Sequence, residues 1–186
     1  MSKKILVVVD VQKDFYHPDG ALYVKGGEHL PERIAKVIPE FDDVIFTVDW
    51  HDILHISFKR ENNNDGQWPV HCIKYTEGAS LPSIFSPYIT KTNVIEKGTN
   101  TDEEEYGVNP LKVYNLIKKY KNDVTLYVTG IHALFCVKES LKNLKDFGYN
   151  VIAITDCIVP ENNEDFNGFC QINKIKQISL KEIEFL

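Results

Sequence analysis

A short apolar run that ends at a polar residue or a glycine recurs five times along the chain. Four of them cover residues 5–9, 44–48, 124–128 and 151–155, and a shorter one at 94–96 contains Glu96 as its last residue. Continuous apolar runs of this length are typical of strands that are buried on both faces of a sheet. Helical patterns lie between most of them, with apolar residues three and four positions apart. This alternation predicts a doubly wound α/β domain with a parallel sheet.

The helical patterns predict helices at 28–41, from Pro110 to about 120, and at 137–147, where Gly148 ends the apolar spacing. The segment 50–92 is polar, aromatic and irregular, with a loop tip at 62–66. So long an insertion within a compact domain is usually functional. After residue 163 we expect a helix and then a short edge strand near 178–180.

Chemically active residues follow the predicted strands. The residues at the strand ends are Asp10, Asp49, Lys97, Gly130 and Asp156. In open parallel sheets the ligand crevice lies outside the carboxyl ends of the strands, where the strand order reverses. These groups are therefore expected to share one edge of the sheet, where they can converge.

The composition bounds the class of protein. A chain of 186 residues with 43% apolar and 26% charged residues is expected to form one domain, residues 1–186. The net charge of -6 argues against nucleic-acid or anionic-membrane partners, and no segment has the length of a membrane span. The N-terminal apolar run is too short for a signal peptide, so the four cysteines are expected to be reduced and the protein cytoplasmic.

The first candidate constellation is Asp10, Lys97 and Cys136. Cys136 lies where a helix is predicted to start, and the positive end of a helix favours a thiolate. Lys97 could stabilise the thiolate and Asp10 could carry its proton. Alone, each residue has a simpler interpretation, since most intracellular cysteines are small buried hydrophobic residues. Three such groups at strand ends favour nucleophilic catalysis.

The second constellation is Asp49, His51 and His71. Side chains two apart on an extended chain leave on the same side, which brings Asp49 and His51 together. One carboxylate and two imidazoles suit Zn²⁺, Fe²⁺ or Mn²⁺. The alternative is a set of loop histidines that only form hydrogen bonds, because a single D-x-H pattern is a weak signal.

Five motifs occur in a fixed order between residue 4 and about residue 157: DVQKDF, DWHDILHISF, WPVHC, EKGTNTDEEEYG and TGIHALFCV. Their order, and the pairing of D-W-H with W-P-x-H-C, is far more specific than any one of them. The set resembles the nicotinamidases and pyrazinamidases, which belong to the isochorismatase-like cysteine hydrolases.

The resemblance implies a three-layer α/β/α fold with a six-stranded, mostly parallel sheet. It implies a cysteine amidohydrolase with one divalent metal ion that deamidates nicotinamide, and pyrazinamide, through a thioester in NAD salvage. A homo-oligomer is expected, with a small amide as substrate.

The resemblance also implies roles for individual residues. The implied catalytic residues are Asp10, Lys97 and Cys136. The implied metal ligands are Asp49, His51 and His71, with His55 as a possible further ligand and Ser57 acting through water. The implied substrate contacts are Phe15, Trp68 and Tyr106. A cis peptide is expected at Ile131–His132, with an oxyanion hole formed by the backbone N–H groups of His132 and Cys136.

The chain departs from the family pattern chiefly at residues 132–135, which read H-A-L-F where A-T-D-Y is common. Three alternatives therefore stay open. The first is an amidase for ureido or carbamoyl compounds, although such relatives generally lack the metal residues. The second is a binding or regulatory relative that has lost turnover. The third is a receiver-like signalling domain, which would leave the histidine-containing insertion unexplained.

Overall fold

The computed structural model describes residues 2–61, 66–120 and 123–183. Its strands are β1 (Lys3–Val9), β2 (Asp43–Asp49), β3 (Val94–Lys97), β4 (Val124–Ile131), β5 (Asn150–Val159) and β6 (Lys176–Ile178). They form one sheet in the order β3-β2-β1-β4-β5-β6, and every neighbouring pair is parallel. The predicted six-stranded parallel sheet is confirmed.

The α-helices are α1 (Lys13–Tyr16), α2 (Leu30–Val37), α3 (Pro110–Ile117), α4 (Lys138–Asp146), α5 (Glu164–Ile172) and α6 (Leu180–Ile183). Tighter 3₁₀ turns lie at Gly27–His29, Ile38–Glu40, Ser83–Tyr88 and Lys118–Tyr120, and a π-helical turn lies at Ala133–Val137. The side chains of Asn109 and Asn163 accept backbone N–H groups at the starts of α3 and α5. None of the helices in the described ranges is long and apolar enough to cross a bilayer.

Both faces of the sheet are buried, as the continuous apolar runs predict. In β1, Ile5, Val7 and Val9 pack with residues of α3, α4 and α5. Leu6 and Val8, which point to the opposite face, pack with residues of α2 and α6. Alternate residues of one strand therefore serve two cores, which gives the three-layer arrangement.

The strand order reverses between β1 and β4, whose carboxyl ends lie side by side. Gly130 allows this close approach, because a Cβ at this position would lie 2.0 Å from the carbonyl oxygen of Val9. The residue also has a φ of +128°, which side chains disfavour. Because β4 continues through Gly130 to Ile131, the prediction that Gly130 ends the strand is wrong.

The prediction for Asp156 is also wrong, because β5 continues to Val159. The pairing of Val128 with Ala153 and of Gly130 with Ile158 leaves residues 154–157 of β5 opposite Thr129 alone. Asp156 lies in this bulge. Both of its carboxylate oxygens accept the N–H of Leu180, at 2.9 and 3.0 Å, which ties it to the start of α6.

Other differences are smaller. The predicted helix at 28–41 is divided into α2 and two 3₁₀ turns, and the edge strand lies two residues earlier than predicted. The short helix α1 has no sequence prediction. Residues 62–65 of the predicted loop tip lie outside the described residues.

Candidate active site

Lys97, the last residue of β3, lies at the centre of a buried ionic cluster. Its Nζ lies 2.8 Å from Asp10 Oδ2, contacts Asp49 Oδ1, and lies 3.6 Å from Cys136 Sγ. Burial alone lowers the pKa of a lysine, but the two carboxylates raise the pKa of Lys97 well above its usual value. A permanent cation therefore lies between the two acids and the thiol.

Asp10 follows β1 in a left-handed conformation with φ of +49°. Its Oδ1 accepts a hydrogen bond of 2.6 Å from the hydroxyl of Thr47, and its backbone N–H bonds the carbonyl of the same residue. Burial raises the pKa of the Asp10 carboxyl to about 6, against the opposing effect of Lys97. A carboxyl in this range can exchange a proton near neutral pH. Thr47 was not singled out by the sequence, where a polar residue inside a buried strand was its only signal.

Cys136 lies in the π-helical turn that leads into α4, and its side chain is buried. Burial raises the pKa of its thiol well above the usual value, although the Lys97 ammonium opposes this effect. The sequence-based prediction of a thiolate rested on the positive end of the helix. Desolvation of the buried thiol outweighs that effect here. A base must therefore remove the thiol proton during attack, and Asp10 lies in the same cluster.

Residues of the types that ligate metals lie together with Asp49, next to the Lys97 cluster. Ligand atoms of Asp49, His51 and His71 all lie within 4.8 Å of one another, and all three residues are buried. Asp49 uses one oxygen for Lys97, while its Oδ2 lies 3.7 Å from Nε2 of His51. One carboxylate thus links the ionic cluster to the histidines.

Backbone carbonyls fix the imidazole tautomers of the two histidines. Nδ1 of His51 lies 2.9 Å from the carbonyl oxygen of Gly98, and Nδ1 of His71 lies 2.7 Å from that of Pro69. A carbonyl only accepts, so each Nδ1 carries the proton and, in the neutral ring, each Nε2 keeps its lone pair. This is the arrangement that metal-binding histidines need, and the three residues fit a divalent cation.

Gly98 is shaped to hold His51. A Cβ at this position would lie 2.3 Å from Cε1 of the imidazole, and the residue has a φ of +61°. Both the contact and the conformation exclude a larger residue. In the sequence, Gly98 was only the residue after the strand-end Lys97, within the motif EKGTNTDEEEYG.

His55 and Ser57 lie beside the histidine pair. The ring of His55 is 4.1 Å from that of His51 between centroids, and its Nδ1 lies 2.7 Å from Ser57 Oγ. His55 is not among the three residues whose ligand atoms converge. Its role as a further ligand, and that of Ser57 through water, stay predictions.

The buried amide of Gln12 positions Asp49. Its Oε1 accepts the Asp49 N–H at 2.7 Å, and its Nε2 donates to the Asp49 carbonyl at 2.8 Å and to the Ala79 carbonyl at 2.9 Å. The loop after β1 is thereby attached to the end of β2. Asp14 attaches the same loop to the irregular 50–92 segment by accepting the Cys72 N–H at 2.7 Å.

A cavity of about 350 Å³ opens over these groups. Its walls include Cys136, Asp49 and His71 together with the three predicted substrate contacts, Phe15, Trp68 and Tyr106. The indole N–H of Trp68 donates to the Tyr106 hydroxyl at 2.9 Å, which holds the two rings together. The sequence missed four further apolar wall residues, which are Leu22, Val24, Ile131 and Phe135.

The turn before Cys136 has the expected cis peptide at Ile131–His132. Ile131, His132 and Cys136 all line the cavity. The backbone N–H groups of His132 and Cys136 therefore belong to residues at the cavity wall. Their role as an oxyanion hole stays a prediction.

The site combines a cysteine, a carboxylate and a buried lysine with a set of two histidines and one aspartate. The isochorismatase domain model matches residues 4–175. The chain belongs to the isochorismatase family. The match includes strands β1 to β5 apart from Lys3 and ends directly before β6, so the family model corresponds to nearly the whole chain.

Several named proteins are similar to this chain over most of its length. The nicotinamidase of Saccharomyces cerevisiae is 29% identical, and the match covers 94% of each chain. The structure of PnC1 from L. infantum in complex with nicotinate has a TM-score of 0.83 at 26% identity, covering 97% of this chain and 94% of that one. The pyrazinamidase of Pyrococcus horikoshii in complex with zinc has a TM-score of 0.76 at 27% identity, covering 96% and 99%.

Proposed function

We propose that this protein is a metal-containing cysteine amidohydrolase that converts nicotinamide to nicotinate and ammonia, and that also accepts pyrazinamide. The observation that carries the proposal is one cavity at which two sets of residues meet. Cys136 of the Cys136–Lys97–Asp10 cluster lines it, and so do Asp49 and His71 of the Asp49–His51–His71 set. The likeness to nicotinamidases, and to structures with nicotinate or zinc, supports it.

In the acylation half-reaction, Cys136 Sγ attacks the carboxamide carbon and Asp10 takes the thiol proton. The backbone N–H groups of His132 and Cys136 donate to the oxygen of the tetrahedral intermediate. Asp10 then gives its proton to the departing nitrogen, and ammonia leaves as the C–N bond breaks. Lys97 lies 2.8 Å from Asp10 and 3.6 Å from the sulfur. Its positive charge therefore stabilises negative charge on the Asp10 carboxylate and on the Cys136 sulfur.

In the deacylation half-reaction, Asp10 takes a proton from water, whose oxygen attacks the thioester carbon. The C–S bond breaks and Asp10 returns its proton to sulfur. The acid that forms loses its remaining proton to solvent and leaves as nicotinate. Phe15, Trp68 and Tyr106 surround the pyridine ring and hold the carbonyl carbon near Cys136.

Asp49, His51 and His71 would hold a divalent ion, because their donor atoms converge and both Nε2 atoms are free to ligate. Bound there, the ion would supply a Lewis acid that orients the ring through its nitrogen. Zinc is the first candidate, because a carboxylate with two imidazoles is a common zinc set.

Release of ammonia and nicotinate from nicotinamide by the purified, metal-loaded protein tests the proposal. We expect turnover of nicotinamide and pyrazinamide, and little turnover of ureido or carbamoyl compounds. Hydrolysis of a ureido compound in preference to both amides would assign the protein to another branch of the family. Protein that loads metal but hydrolyses none of the panel would instead be a binding relative.

Thr47→Val is expected to move the acid limb of the pH profile to higher pH. The Thr47 hydroxyl bonds the charged form of Asp10, so its loss raises the pKa of Asp10 further above about 6. A hydrogen bond to a charged group contributes about 1.5–3 kcal/mol, which corresponds to a shift of about one to two pH units. The measurement is kcat/KM for nicotinamide against pH.

Thr125→Val is the matched control, because Thr125 is also buried in the sheet but lies at the far end of β4. Its acid limb should stay at the wild-type pH. An unchanged limb in Thr47→Val would show that Asp10 is not the base that this limb reports.

Gly98→Ala is expected to weaken metal binding, because the new Cβ displaces the His51 imidazole. Loss of such support typically costs about 10- to 100-fold in metal affinity. Competition with a chromogenic chelator measures the affinity for zinc. Gly148→Ala is the control, since Gly148 also has a positive φ, +105°, but no atom of the described residues lies within 4 Å of a new Cβ there. Equal losses in both variants would assign the effect to backbone strain alone.

A cytoplasmic location, a homo-oligomeric state, a single domain over residues 1–186 and a role in NAD salvage stay predictions from the sequence.

A further inference from the structure

His132 stands where an alanine is common in the family motif, and its imidazole has no role in the mechanism above. Its Nδ1 accepts the N–H of Leu134 at 3.1 Å, which caps the π-helical turn. Its ring centroid lies 5.0 Å from that of Phe135, and both residues line the cavity with Cys136. The residue is only half-buried, so part of it remains accessible.

The cap determines which nitrogen of His132 carries the proton. A backbone N–H only donates, so Nδ1 must be the unprotonated nitrogen. Burial lowers the pKa of His132, which keeps the ring neutral near physiological pH. The proton therefore lies on Nε2, at the opposite edge of the ring. Within the described ranges, no protein atom accepts a hydrogen bond from Nε2.

We propose that His132 is a substrate-binding residue whose Nε2–H donates a hydrogen bond to the amide bound in the cavity. The identity of that amide rests on the proposed function. His132 also supplies one of the two backbone N–H groups of the predicted oxyanion hole. Its side chain and its backbone would therefore both contact the bound amide. The cap fixes the ring before the ligand arrives, so little conformational entropy is lost on binding.

A simple helix-capping role is the competing explanation, and two variants separate it from ligand binding. His132→Asn places an acceptor near the position of Nδ1 and keeps the cap, but its amide does not reach the position of Nε2. His132→Gln reaches the position of Nε2 with an N–H donor, but loses the cap. The Asn variant should therefore keep the wild-type Tm, whereas the Gln variant should have a lower Tm.

For nicotinamide, the KM of His132→Asn is expected to rise about three- to tenfold, the loss of one neutral hydrogen bond, with little change in kcat. His132→Gln should restore KM towards the wild-type value despite its lower Tm. An unchanged KM in the Asn variant, or a KM that follows Tm across both variants, would overturn the proposal.

A binding measurement separates this inference from the proposed function. In Cys136→Ala protein, which cannot form the thioester, nicotinamide should shift the ¹⁵N signal of His132 Nε2 and leave that of Nδ1 nearly unchanged. Bound nicotinamide without an Nε2 shift overturns the role of His132 while deamidation by wild-type protein stands. If wild-type protein hydrolyses no amide and Cys136→Ala binds none, both proposals fail together.

Discussion

Cys136→Ala is expected to lower kcat for nicotinamide by about 10⁴-fold or more, because it removes the atom that forms the thioester. The loss should not be a folding defect. Cys136 contributes a small buried side chain, and alanine in its place leaves only a small cavity. The measurement is single-turnover ammonia release, together with Tm and the amount of bound zinc.

Cys170→Ala is the matched control, since Cys170 is a fully buried cysteine in α5 and is not among the residues that line the active-site cavity. It should lose a similar amount of stability and keep its activity. Residual turnover in Cys136→Ala above about one per cent of wild type would show that another group is the nucleophile.

Lys97→Met is expected to abolish activity and to destabilise the fold by about 3–5 kcal/mol, because it leaves two buried carboxylates without their cation. Lys97 is 1% exposed in its side chain and bonds both Asp10 and Asp49. The destabilisation should be larger at neutral than at mildly acidic pH. Without the cation the folded-state pKa values of the acids rise, so stability falls as pH increases through them.

Urea denaturation of the metal-free protein at two pH values measures this effect. Lys91→Met is the control, since Lys91 is an exposed lysine three residues before β3, and its stability should change little. A Lys97→Met protein with wild-type stability at neutral pH would contradict the buried ionic cluster.

The strand-end residues were predictable because periodicity and chain punctuation are local. Asp10, Asp49 and Lys97 each follow a short apolar run, and a parallel sheet necessarily brings such ends together. The two faces of β1 were predictable for the same reason, since a run without polar residues must be covered on both sides.

Asp156 and Gly130 could not be placed from local patterns, because their positions depend on pairing between β4 and β5. The bulge of residues 154–157 exists only in relation to Thr129, and a one-strand pattern contains no register. The apolar continuation of β5 after Asp156 was the one available signal.

The electrostatics of Cys136 and Lys97 were beyond the sequence for a different reason. Burial dominates the pKa of the thiol, and the depth of a side chain follows from packing around the whole site. Similarly, nothing in the residues around Lys97 distinguishes a buried lysine from one on a solvated loop.

The most direct test of Cys136 as the nucleophile is mass analysis of the protein after rapid acid quench during nicotinamide turnover. We expect a nicotinoyl group on the peptide that contains Cys136, and hydroxylamine should release it as it releases a thioester. An unmodified Cys136 peptide throughout steady turnover, with nicotinate and ammonia still accumulating under conditions where deacylation is slowed, would contradict it.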